Sequence, residues 1–394
     1  SYDSLGNSLD QTIVAYADLE RRSIVGSKRI VRSYDGFSRM TAETETMTVA
    51  ELGDYEKRKE YQSFGLDGRA TVTVTDDYCN SSLTLHVERR LDYDAVEVLL
   101  AEHIEATDAN GVKVDTETVY TYNDPQAYLK GNATQIRQTV TQDGTVKKLV
   151  TTVNTVDEYG HVVAGVRTTD VVDEEGELVT VRREETRNTC LNSRGHVLES
   201  LVDATVFDDG AAIELDRVGY VNKVLDRQGS VLEQRLITYA GNSELVKMYT
   251  DSVTTVSLFG LTTRNTGFLP LDDESERQLT TEVSWQLVAD SEGHPLVSTT
   301  VTSDSEGNVI DKKEILSEYD ADGKISVQKT EIFTVDENGR FASAFRLEVE
   351  NRDYTAVGTA LYSDRVTQRY ENGRYEFYNR IETIIDDALA ASGK

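Results

Sequence analysis

Five histidines, 70 acidic side chains and two cysteines are the groups through which this chain could act chemically. His161, His196 and His294 each follow a glycine directly. The same slot holds Glu177, Ser230, Asn308, Lys324 and Arg340 in neighbouring segments. A position that accepts all of these types reads as a solvated turn position, not as a general base. His86 and His103 have no patterned partners around them. A glycosidase needs two carboxylates facing across a cleft, one of them desolvated. Adjacent acids such as Asp208-Asp209, Asp272-Asp273 and Glu184-Glu185 do not establish that arrangement, so a carboxylate-pair enzyme is a minority reading. No nucleophile elbow, phosphate loop, zinc-binding His-Glu-x-x-His or dinucleotide fingerprint occurs. The expectation is therefore no catalytic residue and no cofactor.

Calcium is the one metal with a sequence argument. Asp320-Ala-Asp322-Gly323 and Asp304-Ser-Glu-Gly307 resemble the first half of a loop in which alternate oxygens ligate Ca²⁺. Lys324, Ser326 and Lys329 follow the first of these, and no bidentate acid closes it. Asp304, Asp320 and Asp322 are thus weak ligand candidates. Cys79 and Cys190 make neither a disulfide framework nor a zinc site and read as two thiols. Asn80-Ser-Ser82 and Asn132-Ala-Thr134 have the form of glycosylation acceptors.

The acids belong mainly to a turn that recurs as Asp-x-x-Gly. It is found at Asp157–Gly160, Asp173–Gly176, Asp226–Gly229, Asp304–Gly307, Asp320–Gly323 and Asp336–Gly339. Close copies end at Gly195 and Gly293. An Asp or Asn side chain accepts backbone N–H groups two residues on and starts a turn. Gly supplies the left-handed residue that follows a type I turn in a bulged β-hairpin. From Gly144 to Gly160 to Gly176 the steps are 16 and 16, as they are from Gly307 to Gly323 to Gly339. Gly160, Gly195, Gly229, Gly260 and Gly293 are 35, 34, 31 and 33 apart. A fixed period of this size marks a repeat architecture. It gives about 16 residues per strand and about 33 per hairpin.

The elements between the turns are rich in Val, Thr and Tyr, which suit strands. Pro, which central strands exclude, numbers only 3. The fold class is all-β: an extended array of antiparallel hairpins, a meandering or spiralling and largely single-layer sheet. Strands such as Val179–Cys190 and Ile325–Thr334 are polar in the middle on both faces, whereas a sandwich needs one apolar face throughout. Residues 1–105 form the less regular β region, with altered turns at Tyr2–Gly6 and Tyr34–Arg39 and a segment Ala95–Ile104 that suits a strand or a short helix. Residues 106–260 are the clearest repeats, broken by a turn or short insertion at Asn123–Gln126. Residues 261–281, with Gly, Pro and an acidic run, read as a boundary or long loop. Repeats resume over 282–380, and 381–394 reads as a tail or capping helix.

The net charge of −29 repels phosphate backbones and anionic lipid, which argues against nucleic-acid and membrane-surface partners. No apolar run of about 20 residues supports a membrane-inserting helix. The chain opens at Ser1 without an apolar leader, which fits a mature secreted protein or a piece of a longer one.

Tyr319-Asp320-Ala-Asp-Gly323-Lys324-Ile325 resembles the YD repeat of Rhs-type and teneurin-type proteins, Tyr-Asp-x-x-Gly-Arg before an aliphatic residue. Tyr34-Asp35-Gly-Phe-Ser-Arg39-Met40 and Val335-Asp336-Glu-Asn-Gly339-Arg340-Phe341 match in part. The resemblance covers much of the chain loosely. It implies long hairpins wound into a spiralling, shell-like sheet on secreted or cell-surface proteins. The expected role is an extracellular scaffold, fibre or envelope component that associates with copies of itself through strand edges. The alternative is an adhesin or polysaccharide binder using Tyr120, Tyr122, Tyr375, Phe377 and Tyr378 as platforms.

Overall fold

A computed structural model describes residues 1–16, 24–49, 53–173, 176–208, 210–241, 243–257, 260–271, 275–289, 293–320, 323–336, 339–354 and 360–384. The first strands are β1 (Asp10–Tyr16), β2 (Ile24–Tyr34), β3 (Met40–Val49), β4 (Gly53–Phe64), β5 (Ala70–Cys79) and β6 (Ser82–Tyr93). Next come β7 (Leu99–Asp108), β8 (Lys113–Thr121), a helical turn α1 (Pro125–Lys130), β9 (Gln135–Gln142), β10 (Thr145–Val156), β11 (Val162–Val172) and β12 (Leu178–Leu191). They are followed by β13 (Val197–Asp208), β14 (Ala211–Glu214), β15 (Val218–Leu225), β16 (Val231–Tyr239), β17 (Val246–Ser257), β18 (Gly260–Pro270) and β19 (Glu276–Ala289). The last are β20 (Pro295–Ser303), β21 (Val309–Tyr319), β22 (Ile325–Val335), β23 (Phe341–Tyr354), β24 (Ala360–Glu371) and β25 (Arg374–Ile384).

All belong to one antiparallel sheet that is not closed. Each strand pairs with its neighbours in sequence, as in the register Lys148↔Val171 to Val156↔Val162 between β10 and β11. β14 and β15 both pair with β13 and act as one strand interrupted at Leu215–Arg217. The all-β hairpin array is thus a pure meander, and its connections fall alternately on two edges. The first edge carries the turns at Asp3, Asp35, Gly65, Asp94, Asp157, Asn192, Asp226 and Asp320. The second carries those at Asp108, Asp173, Asp304 and Asp336, together with tight turns at Asn80-Ser81, Asp143-Gly144 and Asn372-Gly373, whose central residues all have positive φ. Two consecutive left-handed residues match the twist of a two-residue hairpin.

The sheet coils until it meets itself. Met47 and Tyr55 from β3 and β4 pack with Leu287, Val297 and Leu316 from β19, β20 and β21. Val297 and Leu316 are each only 1% exposed. A fully buried aliphatic side chain contributes about 1.5–3 kcal/mol, and among the described residues this seam is a larger buried apolar cluster than that of Leu85, Val87 and Ala106 on β6 and β7. Elsewhere the strands form a single layer, which explains their polar middles. Along β12, Arg183 and Glu185 face one side as an ion pair at 2.9 Å, while Glu184 on the other pairs with Arg182 at 2.8 Å.

Three segments differ from the sequence reading. The interruption expected over 261–281 is instead the hairpin of β18 and β19, and the sheet runs through it. Pro270 closes β18, where no further ladder donor is required. The first third is as regular as the rest, with Ala95–Ile104 divided between a turn and β7. The segment Ile381–Ile384 completes β25; the remainder of the proposed capping helix lies outside the described residues.

Candidate functional site

The recurring turn is built the same way throughout. Asp157 Oδ1 accepts the N–H groups of Tyr159 at 2.9 Å and His161 at 2.8 Å. Gly160 donates to Asp157 O, and Asp157 N donates to His161 O. Gly160 is left-handed, at φ +79°. Asp226 makes the same pair of bonds to Gln228 and Ser230, and Asn192 to Arg194 and His196. Asp173 and Asp336 accept the corresponding N–H of Glu177 and Arg340. Asp304 accepts from Glu306 and Asn308, and its second oxygen takes the Asn308 amide at 3.0 Å. Asp320 accepts from Lys324. The carboxylates proposed as Ca²⁺ ligands at 304 and 320 therefore serve their own turns, and Asp322 lies outside the described residues. Gly176, Gly195, Gly229, Gly293, Gly307, Gly323 and Gly339 all have positive φ. The altered turn expected at Tyr34–Arg39 is one further copy, and a second, at Asp94, carries no sign in the sequence. At Asp94 the left-handed slot holds Glu97, and at Asp35 it holds Ser38.

The two edges are chemically different. At the second edge a methyl group added to Gly111, Gly144, Gly176, Gly210, Gly241, Gly307, Gly339 or Gly373 would meet open space. The residues that follow, Glu177, Asn308 and Arg340, are exposed. At the first edge Gly160, Gly195, Gly229 and Gly323 are covered by the preceding connection, whereas Gly6, Gly36 and Gly293 meet open space. A methyl on Gly195 would lie 2.1 Å from the His161 ring, on Gly229 2.9 Å from His196, and on Gly323 2.8 Å from His294. On Gly160 it would strike the α1 backbone at Gln126, 2.4 Å away. The same slot reaches the aromatic residue that precedes the next turn. His294 stacks on Tyr319 at 4.8 Å, Arg39 lies over Phe64 at 4.3 Å, and Lys324 over Tyr354 at 5.2 Å. Asn7 Nδ2 donates to Ser38 Oγ at 3.2 Å. Reading His161, His196 and His294 as solvated positions is therefore corrected: they are half-buried links between successive turns. The signal was present in the sequence. Sorting the slot by alternate turns would have gathered Arg39, Arg69, His161, His196, His294 and Lys324 on one edge.

A second ladder runs just inside that edge. Asn154, Asn188, Asn222 and Asn351 donate their side-chain amides to the carbonyls of Ala133, Val162, Val197 and Ile325 at 2.8–3.2 Å. Each lies one residue beyond the last paired position, so the amide continues the ladder past the bulge. α1 takes the place of one first-edge turn. Asp124 caps it, accepting from Gln126 at 2.8 Å and Ala127 at 2.9 Å, and Asn132 donates to Gly160 O at 2.8 Å. The Asn132 amide is thus engaged and half-buried. Asn80 is exposed, with Oδ1 accepting from Asp54 N.

The aromatic candidates do not form one platform. Tyr120 and Tyr220 line a concave trough of about 630 Å³ with Gln138, Thr152, Arg167 and Glu184. Tyr122 packs edge-on against Tyr128 and donates to Leu99 O at 2.9 Å. Tyr375 lies under Arg346 at 4.2 Å and donates to Glu331. Burial, aided by Glu331, pushes its phenol up to about 12. Phe377 and Tyr378 on the last strand are 69% and 58% exposed. His86 is paired with Asp76 at 2.6 Å. His103, Glu105 and Asp115 present ligand atoms within 4.8 Å of one another. The Lys113 ammonium already sits 2.7 Å from Glu105 and 3.8 Å from Asp115. Cys79 and Cys190 are free, Cys79 beside the seam. Among the described residues, no helix is long and apolar enough to cross a membrane.

No family model matches this chain, and no curated protein matches it. Among solved structures it aligns with a chain of the Photorhabdus luminescens Tc holotoxin pore at 10% identity, with a TM-score of 0.20. The alignment covers 93% of this chain and 27% of that one. The chain thus spans about a quarter of the protein it aligns with, and at that score the likeness carries no conclusion about either fold or function.

Proposed function

We propose that this chain is a YD-repeat-like structural protein, working outside the cell as a scaffold, fibre or envelope element, and that it associates with copies of itself through its strand edges. The observation that carries this reading is the first-edge ladder. Its side chains link successive hairpins, and the ladder takes in three of the five histidines, His161, His196 and His294, while the turn carboxylates serve their own turns. We assign no reaction, metal or cofactor to these residues. Crosslinking and electron microscopy of the purified chain test the reading. Concentration-dependent assemblies are expected; compact monomers persisting at high concentration would count against it.

The trough supports a second reading, a polysaccharide-binding or adhesive module. Its amides, hydroxyls and two tyrosines suit a neutral sugar chain, in keeping with the mixed apolar and polar lining of ligand sites. A glycan array without hits would remove it.

A further inference from the structure

Asn154, Asn188 and Asn222 spend their side-chain N–H groups in the same way, on the carbonyls of Ala133, Val162 and Val197. Their Oδ1 atoms differ. Asn222 Oδ1 accepts at 2.6 Å from Nε2 of Gln234, the residue opposite it on β16. The residue opposite Asn188 is Ser200, and the residue opposite Asn154 is Gly165. Neither supplies an amide, and among the described residues no group donates to Asn154 Oδ1 or Asn188 Oδ1. Asn154 Oδ1 stands over Gly165, where an added methyl would lie 2.8 Å from it. Asn154, Gly165 and Asn188 all line the concave trough, and Asn222 does not. The chain thus closes the acceptor that lies outside the trough and leaves open the two inside it.

The trough is long and its charges are matched. Tyr120 on β8 and Tyr220 on β15 are six strand pairings apart, with Gly165 on β11 midway. At about 4.8 Å per pairing that is roughly 29 Å along the sheet. Asn154 and Asn188 are two pairings apart and offset by one pleat, about 12 Å. An elongated ligand laid across the strands passes one tyrosine, both acceptors and the second tyrosine. Of the lining carboxylates, Glu102 is held by Arg89 at 2.5 Å and Glu184 by Arg182 at 2.8 Å, with Arg167 at 4.0 Å. Open acceptors call for donors, which hydroxyl groups supply and carboxylates lack. The net charge of −29 also repels anionic chains. We propose that the trough binds a linear neutral saccharide, and that its hydroxyls donate to Asn154 Oδ1 and Asn188 Oδ1, which fix its position between the two tyrosines. This rests on the polysaccharide-binding reading above and names the ligand class and the residues that select it.

The test leaves both asparagines in place, because they also hold the ladder. Ser200→Gln sets opposite Asn188 the amide that Gln234 sets opposite Asn222, and Gly165→Ala puts a methyl against Asn154 Oδ1. Circular dichroism and thermal melts matching wild type establish that each variant is folded. The full chain is applied to an array of linear neutral oligosaccharides of glucose, mannose, galactose and N-acetylglucosamine, printed beside uronic-acid and sulfated chains. The best-bound oligosaccharide is then titrated by calorimetry. Wild type is expected to bind neutral chains only, and each variant to bind about tenfold more weakly, the loss of one hydrogen bond. Undiminished affinity in both folded variants would overturn the two acceptors while leaving polysaccharide binding standing. A preference for the anionic chains would overturn the neutral class. Binding to no printed chain would overturn both this inference and the reading beneath it.

Discussion

Gly195 and Gly176 share a φ of +84°, but only Gly195 carries a neighbour's ring. Replacing either with Ala forces an L side chain into the left-handed region, at a cost of about 1–2 kcal/mol. Gly176→Ala should cost that and no more. Gly195→Ala also drives a methyl into the His161 ring, and displacing that ring should bring the loss to about 2–4 kcal/mol. Urea unfolding of the two variants measures the difference, and adding His161→Ala to Gly195→Ala should recover part of it. The turn carboxylates set an acid limit. The His161 N–H holds the Asp157 carboxyl below its usual range, and the Ser230 N–H does the same for Asp226. A depressed folded-state pKa stabilises above the unfolded value, about 3.9, and that contribution is lost as pH falls through the folded value. Stability should therefore be level from neutral pH down to about 5 and fall below about 4. NMR titration of these carboxyls checks it: midpoints at or above the free-peptide value would refute the assignment. The turn chemistry was legible because Asp and Gly recur at fixed distance. The Asp94 turn was not, because a left-handed Glu97 in place of Gly leaves no mark in composition. The role of the histidine slot was hidden because neighbours two strands apart lie about 33 residues apart in sequence.

Strands are held to one another near the first edge by side chains as well as by backbone. Asn188 replaces a missing ladder rung with its amide at 2.9 Å from Val162 O. Asn188→Ala removes that donor from a half-buried carbonyl and should cost about 1–2 kcal/mol. Asn188→Asp should cost at least as much, because a carboxylate cannot donate and adds like charge. Local hydrogen exchange in β11 and β12 reads this directly; unchanged protection would show that water replaces the amide without loss. Asn154, Asn188 and Asn222 stand 34 residues apart, so this device was visible in the sequence as a period but not as a bond. The β18–β19 hairpin was misread for the opposite reason. It lacks the Asp-x-x-Gly signature, and its Pro270 and acidic run imitate a boundary. Glu276, part of that run, in fact anchors Arg235 at 2.7 Å, and Arg235 grips Asp251 with two bonds of 2.7 and 2.8 Å. An acidic stretch that reads as linker in one dimension becomes a cross-strand clamp once the sheet is formed.

In a repeat array each unit touches only its neighbours, so stability is roughly a sum of local terms. The seam breaks that rule here, because it ties β3 and β4 to β19, β20 and β21 across most of the chain. No periodicity in the sequence announces it: Met47, Tyr55, Leu287, Val297 and Leu316 are ordinary strand residues until the sheet has coiled far enough to overlap. Leu316→Ala leaves a cavity where the wild-type side chain is 1% exposed, and such truncations cost about 2–5 kcal/mol. The distribution of that loss distinguishes a coil locked by its overlap from a chain of independent hairpins. If the seam locks the coil, hydrogen exchange should accelerate in β3 and β4 as well as in β20 and β21, while β11 and β12, away from the overlap, keep their protection. Acceleration confined to β20–β22 would mean that the overlap adds nothing to nearest-neighbour pairing.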